Sequence, residues 1–478
     1  MMRDLVAAAV GTLGALVLAG CASRGPVYQR PQMPLPPAWT VEEPFREGQP
    51  KDALPKGAWW TIFNDPELNA LQDRAVAGNP DIQVSAARMA QARALTAEAL
   101  SAIYPSVCAG VQASDQRLSG TRTGATAAST SSSFSLPATV SYEVDLFGKR
   151  VKSIEAARAT LQASAADLEN VRLVVAAEIA GDYFTVRRLE SELDLLTRGI
   201  DVLQRAVELV RNRFEGGVAS GLDLAQEETL LGSTRTQAIL VRQQRDQFQH
   251  AIAALVGEPA PAFALPARVL DARPPSLAIG LPTDLLERRP DVAEAERQMA
   301  AANARIGIAK AAYFPSLGLS ASGGWQSASL LKLFDVPSLV WAVGASLAQD
   351  VFSGGAKKAG VDYATAGFDA AAAAYRGTVL RAMTEVQDAL SGLGVLDAAA
   401  VTQQQAVDAA QRALDIATNR YRGGLASALD LVSAQQTLLA AQRLAVQLDG
   451  ERLVTTVDLV KALGGGWDAS SLAAVVQR

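Results

Sequence analysis

The sequence predicts a mainly α-helical protein with a membrane β part, built from a strand-helix protomer unit that is duplicated within a chain of 478 residues. Three observations predict this fold class. Short motifs recur in the same order in both halves, two proline-free stretches of about 65 residues carry a helical apolar period, and the segments between helices alternate with a period of two. Each half is therefore expected to combine long helices with amphipathic strands.

Residues 1–20 form a predicted signal peptide. Arg3 precedes an apolar run over 5–19, which is shorter than a membrane-spanning helix and ends in small residues. The motif LAGC at 18–21 resembles the lipobox of bacterial lipoproteins, in which the chain is cut before the cysteine and the cysteine carries acyl chains. This resemblance implies covalent lipid on Cys21, no other cofactor, and sorting to the outer membrane, because no Asp follows the cysteine.

Residues 21–60 are predicted to form a lipidated, proline-rich N-terminal arm. The segment RPQMPLPPAW at 30–39 cannot form a helix or a central strand, because proline has no N–H to donate. No run of about eighteen apolar residues follows the leader, so no transmembrane helix is predicted after it.

The rest of the chain divides into two predicted repeats, 61–270 and 271–465, and a C-terminal tail at 466–478. Four motif pairs occur in one order: NPDI with RPDV, YPS with FPS, DLFG with DVFSGG, and NRFEGGVASGLDL with NRYRGGLASALDL. In the last pair, at 212–224 and 419–431, nine of thirteen positions are identical. Several matches in one order indicate internal duplication.

Each repeat is predicted to contain one very long helix and two of moderate length. The long stretches, 149–215 and 357–422, contain no proline, and apolar residues such as Leu189, Leu193 and Leu196 recur at helical spacing. At 1.5 Å per residue, each such helix is about 100 Å long. The moderate helices are expected at 66–102, 222–256, 284–312 and 428–463.

The segments between helices are predicted strands. Apolar and polar residues alternate over 134–146, 339–347 and FPSLGLSASGGW at 314–325. About ten alternating residues suit a tilted outer-membrane strand with one face to lipid and one to water. A half-buried strand in a soluble sheet is the alternative, because alternation alone does not separate the two. The serine-rich segment 119–133 is expected to be a long polar loop.

Two hairpins give each chain four strands, which cannot close a barrel. Lipid tolerates no open sheet edge, so several chains must share one barrel. Two chains would give eight strands, whose interior fills with side chains, and three would give twelve with more room. A conduit therefore favours three chains, with Leu136, Val140, Tyr142 and Val144 facing lipid.

The composition gives no support to catalysis, metal binding or nucleic-acid binding. Histidine occurs only at His250, on a predicted helix surface, and cysteine only at Cys21 and Cys108. A zinc site usually needs three or four such ligands. The net charge of -5 and the scattered basic residues do not indicate a nucleic-acid partner. No catalytic or metal-binding residue is predicted, and Cys108 is expected to be buried or to face a lumen.

The motif that occurs twice predicts a sharp reversal between two helices. The turn is assigned to two glycine pairs, Gly216 and Gly217, and Gly423 and Gly424, because glycine tolerates positive φ at a helix end. Ser220 and Ser427 can cap the helices that follow.

Two segments resemble the hallmark segments of TolC-like outer-membrane factors: AWWTIFNDPELNALQDRAVAGNPDI at 58–82 and GLPTDLLERRPDVAEAERQMAAANARIGIAKAAYFPSLGLSASGG at 280–324. The nearest branch is the lipoprotein, NodT-like group that serves resistance-nodulation-division efflux pumps. The resemblance covers essentially the whole mature chain. It implies a homotrimer whose twelve-stranded outer-membrane β-barrel continues into a twelve-helix α-barrel tunnel in the periplasm. It also implies passive conduction of drugs or other small molecules, with a periplasmic adaptor (membrane fusion protein) and an inner-membrane efflux pump as partners.

The same resemblance implies that the glycine turns lie at the tunnel tip and form a periplasmic gate. In the family, an inner pair of hairpins carries rings of Leu and Asp, held by Tyr and Arg contacts. By motif, Leu429 corresponds to the apolar constriction, and Tyr421 and Arg422 to the tethers. Asp430 is a candidate for the acidic ring. The identity of that acid stays open, because some members carry Asp where this chain has Ser433.

Two other functions compete with a passive export channel. One is a lipid-anchored periplasmic coiled-coil structural or adaptor protein, although adaptors resemble a lipoyl-like β-domain with one helical hairpin and not a duplicated strand-helix plan. The other is a lipoprotein enzyme, which the scarcity of His and Cys and the lack of a clustered acid-base motif oppose.

Overall fold

The computed structural model describes residues 25–29, 39, 57–123, 127–275, 288–467 and 472. Cys21 lies outside the described residues, as does most of the proline-rich arm. The chain divides into two compact units. One comprises residues 1–31, 90–163 and 295–374 and includes the sheet, and the other comprises 32–89, 164–294 and 375–478 and includes both glycine turns.

The first moderate helix is two helices and not the single helix expected over 66–102. Helix α1 spans Pro66–Gly78 and α2 spans Pro80–Ser101. Asn79 lies between them in extended conformation, with a ψ of 125°, because the proline that begins α2 disfavours helical backbone at the preceding residue. The Asn79 side chain then caps α2 by accepting hydrogen bonds from the amides of Asp81 and Ile82, at 2.9 and 3.0 Å.

The second repeat has its break at the matching motif. Helix α5 spans Pro290–Ala311, and Arg289 before it is not helical. The prediction of one continuous helix over 284–312 is therefore also wrong, because the helix is interrupted at Arg289, the residue before Pro290. Residues 276–287 lie outside the described residues. Both breaks follow from the X-Pro-Asp motif that the repeats share.

The two hairpins of helices match the sequence prediction to within one residue. They consist of α3 (Lys149–Glu215) with α4 (Gly221–Leu255), and α6 (Ala356–Arg422) with α7 (Ala428–Ala462). Helices α3 and α6 have 67 residues each, and α4 and α7 have 35 each. All four bounds of one hairpin are displaced from those of the other by 207 residues, so the duplication is structural as well as sequential.

The shorter helix of each hairpin is joined at its C-terminal end to a helix that precedes the sheet strands: α4 to α2, and α7 to α5. The Asn79 amide donates to the carbonyl of Leu255 at 2.8 Å, which ties the start of α2 to the end of α4. The Arg289 guanidinium donates to the carbonyl of Ala462 at 3.0 Å, which ties the start of α5 to the end of α7. The same positions of the two repeats thus satisfy orphan carbonyl groups at helix C-termini.

The sheet is antiparallel and has four strand positions, as predicted. Its strands are β1 (Ser106–Ala109), β2 (Gln112–Leu118), β3 (Ser129–Val144), β4 (Ser316–Ser327) and β5 (Leu339–Ala348). β1 and β2 both pair with β3 and together form one interrupted edge strand, followed by β3, β4 and β5. The polar loop expected over 119–133 is shorter than predicted, because its last five residues begin β3 and pair with β2.

One face of the sheet is apolar and the other is polar. Val140 lies opposite Ala321, and Ala321 lies opposite Val343, and residues directly opposite in a sheet share a face. The other apolar rows are Leu136–Trp325–Leu339, Tyr142–Leu319–Ala345 and Val144–Leu317–Leu347. The opposite face carries Thr139, Ser141 and Glu143 of β3 beside Ser322, Ser320 and Gly318 of β4. The alternation predicted from the sequence is therefore confirmed.

Cys108 lies on β1 opposite Thr139, on the polar face of the sheet. It is a free and exposed cysteine. Of the two alternatives expected for Cys108, burial is wrong, and a place facing a lumen stays a prediction, with which its position among hydroxyl side chains agrees.

The main hydrophobic core lies in the unit that contains the turns. Trp59, Leu68, Ile179, Phe184, Ile252 and Val457 are buried together there. Beside this core, Arg187 is 1% exposed and pairs with Glu67 at 2.6 Å and with Glu190. Among the described helices, none has an apolar stretch long enough to cross a bilayer.

Candidate functional site

The first turn, residues 216–220, ends α3 with the two hydrogen bonds of a Schellman motif. The amide of Gly217 donates to the carbonyl of Phe214 at 2.9 Å, and the amide of Val218 donates to that of Arg213 at 2.8 Å. Gly217 has a φ of 72°, which a residue with a β-carbon adopts only under strain. The reversal therefore depends on a glycine at this position.

The second turn, residues 423–427, ends α6 in the same way. The amide of Gly424 donates to the carbonyl of Tyr421 at 3.1 Å, and the amide of Leu425 donates to that of Arg420 at 2.8 Å. Gly424 has a φ of 71°. Among the four predicted turn glycines, only the second of each pair has positive φ. The first of each pair, Gly216 or Gly423, is the last residue whose amide donates a helical hydrogen bond to the carbonyl four residues before it.

A capping box begins the helix after each turn. The Ser427 hydroxyl accepts from the amide of Asp430 at 3.2 Å, and the Asp430 carboxylate accepts from the amide of Ser427 at 3.0 Å and from its hydroxyl at 2.9 Å. Ser220 and Asp223 make the same reciprocal pair of backbone contacts at 3.2 and 2.9 Å. Each box satisfies N-terminal amides that have no partner within the helix.

Asp430 is thus held by its own helix cap. Hydrogen bonds from Ser427 lower the pKa of its carboxyl, and Arg420 contributes in the same direction. The carboxylate is exposed and stays ionised at neutral pH, so it is free to interact with cations or with other copies of the chain.

Leu429 and Leu222 occupy matching positions beside the two capping aspartates. Leu429 is 57% exposed and Leu222 is 67% exposed. Each turn therefore carries one large apolar side chain that is not covered within the chain.

Tyr421 is buried, and its partner is an arginine of the first repeat. It packs with Val210, Ala428 and Leu431. The guanidinium carbon of Arg213 lies 4.7 Å from the centre of the Tyr421 ring, and Arg213 Nη1 donates to the Tyr421 carbonyl at 3.0 Å. Cation–π contact and hydrogen bond together attach the first turn to the second.

The motif resemblance names Tyr421 and Arg422 as the tethers, and the Arg213 contact was not predicted from the sequence. The structure places Arg422 on an exposed helix face, apart from the Arg213 contact with Tyr421. Both motifs have an arginine directly before an aromatic residue, and this order marks Arg213 as a possible partner of an aromatic ring. The sequence does not show that the ring belongs to the other repeat.

Behind the turns, the two hairpins share a layer of apolar side chains. Leu203 and Val207 of α3, Leu230 and Leu231 of α4, and Val432 of α7 form one buried cluster. Within the part of the chain that the structure describes, no three His, Cys, Asp or Glu side chains are grouped to hold a metal ion. The arrangement is one of helices packed across the two hairpins, with an exposed leucine and a capping aspartate at each turn.

Comparison with known proteins identifies relatives along most of the chain. The sequence family described as "Outer membrane efflux protein" matches residues 71–258 and 281–465. The pyoverdine export outer membrane protein OpmQ of Pseudomonas aeruginosa is 36% identical over 424 residues, which cover 87% of this chain and 89% of that protein. The toluene efflux pump outer membrane protein TtgF of Pseudomonas putida is 34% identical over 464 residues, with 95% of each chain covered. The solved structure of the outer-membrane channel OprN superposes with a TM-score of 0.87 at 28% identity, covering 93% of this chain and 100% of that one.

Proposed function

Because this chain belongs to the outer membrane efflux protein family, we propose that it is the outer-membrane channel of a tripartite efflux pump and conducts small molecules passively to the exterior. It is a protein of the outer membrane that extends into the periplasm. Members of the family are channels, and the proposal assigns no chemical step to this chain.

The observation that carries the proposal is the sheet. Its apolar face suits lipid and its polar face suits a water-filled lumen. Yet the interrupted strand β1/β2 and the strand β5 are sheet edges in a single chain, and an open edge is not tolerated in lipid. Three chains that pair these edges would form a closed barrel of twelve strands. A homotrimer is therefore the assembly that we propose.

The helices of one chain form four long helical segments. Two of them are the single helices α3 and α6. Each of the other two consists of two helices joined end to end, α4 with α2 and α7 with α5. Three chains would supply twelve such segments, enough to surround a tunnel. At 1.5 Å per residue, α3 and α6 are about 100 Å long, a length suited to reaching from the outer membrane toward a periplasmic adaptor and an inner-membrane pump. These two proteins are the proposed partners.

The two turns would form the periplasmic mouth. In this proposal Leu429 is the apolar constriction, Asp430 the acidic group beside it, and Tyr421 the residue held by Arg213. A ring of apolar side chains can close a narrow pore by excluding water. The contacts that hold Tyr421 are few, so binding of an adaptor could open the mouth at modest cost.

We also propose that Cys21 carries lipid. The residues that follow it in sequence are attached to the folded chain: the Tyr28 hydroxyl donates to Glu296 at 2.5 Å, and the Asn303 amide donates to the Pro26 carbonyl at 3.0 Å. Lipid and barrel would then both keep the protein in the outer membrane.

The proposed cargo is a class and not one compound. The relatives are named for compounds as different as pyoverdine and toluene at similar identities to this chain, which supports a duct that does not select. Purified full-length protein should migrate as a detergent-resistant trimer and give single-channel currents in planar bilayers. A monomer that passes no current would contradict the proposal.

A further inference from the structure

Glu227 is a fully buried carboxyl group close to the first turn. It lies on α4, seven residues after the capping Ser220, and is 0% exposed. Neither of its carboxylate oxygens has a hydrogen-bond partner among the described residues. A charged carboxylate in such surroundings is costly, and burial raises the pKa of Glu227 to about 7.

The environment of Glu227 is the layer where the two hairpins pack together. Leu224 precedes it by one helical turn, and Leu230 and Leu231 follow by one turn, so all four residues lie on one face of α4. Leu230 and Leu231 pack against Val432 of the second hairpin, and Leu224 contacts the cluster around Tyr421. Glu227 therefore lies on the face of α4 that packs against the second hairpin.

Two other polar groups of this layer are also without partners in the described part of the chain. They are the Tyr421 hydroxyl of α6 and the Oε1 atom of Gln435 of α7. The Arg213 side chain of α3 is engaged with the Tyr421 ring and carbonyl. None of these three groups gives Glu227 a cation partner within the described part of the chain.

The remaining charged groups near the turns point to solvent. Glu228 of α4 pairs with Arg211 of α3 at 2.7 Å, with both side chains about half exposed. Asp430 of α7 is exposed in its capping box. Burial is the cause of the raised pKa of Glu227, and no charged group of the neighbouring helices contributes to it.

We propose that Glu227 is a proton-controlled positioning residue of the gate, which keeps the hairpins packed while neutral and favours their separation when it loses its proton to water. The inference rests on the proposed channel function and adds a regulation to it. No ligand is required, because the carboxyl group exchanges its proton with solvent as the hairpins part.

The sign of the pH dependence follows from linkage. In the parted state Glu227 meets water, and its pKa returns toward the ordinary value of 4.5. Below that value both states are protonated, and the opening equilibrium does not depend on pH. Between it and about 7, opening gains up to about tenfold per pH unit, since the open state binds fewer protons. Above about 7 the gain levels off, so acid surroundings keep the mouth closed.

The test measures the open probability of the purified full-length protein in planar bilayers from about pH 5 to about pH 8. Wild type should open more as pH rises and level off near neutrality. Glu227→Gln has the shape of the protonated acid and should stay at the acid level across the range. Glu228→Gln is the matched control and should keep the wild-type profile.

A Glu227→Gln profile that rises in parallel with wild type would overturn the inference and leave the channel function intact. Loss of current at every pH in wild type and in all variants would count against the channel function instead. A second measurement does not depend on the variant: spin labels at exposed positions 229 of α4 and 436 of α7, in a Cys108→Ser background, should move apart between acid and neutral pH. If the distance between the two spin labels does not change with pH, the inference is also overturned.

Discussion

Arg213 of the first repeat covers the ring of Tyr421 in the second, with its guanidinium carbon 4.7 Å from the ring centre and a 3.0 Å hydrogen bond to the Tyr421 carbonyl. The two residues belong to the two copies of one motif, so the duplicated turns are fastened to each other and not only to their own helices. Tyr421 is 6% exposed beneath this contact. In the proposed channel, the contact connects an outer hairpin to an inner one.

Arg213→Ala should loosen the second turn. A partly desolvated cation–π contact contributes about 1 kcal/mol and the hydrogen bond about as much again. Together they contribute about 2 kcal/mol, so opening should rise by roughly thirtyfold, at about 1.4 kcal/mol per factor of ten. Single-channel recording measures the effect. Arg420→Ala is the control, because Arg420 holds the matching position in the second motif and is exposed. It approaches the Leu425 carbonyl at 3.4 Å and acts on the nearby Asp430 by charge alone. Equal effects of the two changes would contradict the assigned contact.

Leu429→Ala should widen the proposed constriction. Removing three apolar side chains from a narrow ring favours wetting, so conductance should rise and cells should become sensitive to large antibiotics such as vancomycin. Combining it with Arg422→Ala, the other predicted tether, should raise the leak further, because the exposed Arg422 side chain is placed to contact another copy of the chain. The matching pair in the first turn, Leu222→Ala with Glu215→Ala, should leak less. If the first-turn pair leaks more, the inner and outer hairpins are assigned the wrong way round.

Val140→Arg should reduce trimer yield. Val140 lies in the apolar row with Ala321 and Val343, and an arginine on the lipid face at mid-membrane costs roughly 2–4 kcal/mol. Ser141→Arg places the same side chain one residue along β3 on the polar face and should be tolerated much better. Quantitative gel analysis of membrane fractions compares the two variants. Equal yields of the two variants would show that the sheet does not have one face in lipid and the other in water.

Cys21→Ser should abolish acylation. Labelled palmitate should enter the wild-type protein and the Cys108→Ser control, because Cys108 lies on the sheet and not in the leader motif. Label that persists in Cys21→Ser would remove the lipid assignment. Export need not be lost, since a barrel would hold the protein in the membrane without lipid.

The sequence alone determined the duplication, the lengths of the helices in the two hairpins and the two faces of the sheet. These features are periodic or local: a 3.6-residue or two-residue period and a Gly-Gly turn followed by a serine cap can be recognised without knowing what packs where. The breaks at Asn79 and Arg289 were also present in the sequence, as residues before proline, although the long apolar pattern suggested continuous helices.

Only the tertiary structure decided which side chains meet. Arg213, Arg420 and Arg422 are equally plausible partners for Tyr421 in sequence, and the crossing of the two hairpins selected Arg213. Glu227 and Glu228 are adjacent and identical in type. One is buried without a partner, and the other is half exposed and paired with Arg211. Successive residues of an α-helix point about 100° apart, so the position of the neighbouring hairpin determined which glutamate water can reach.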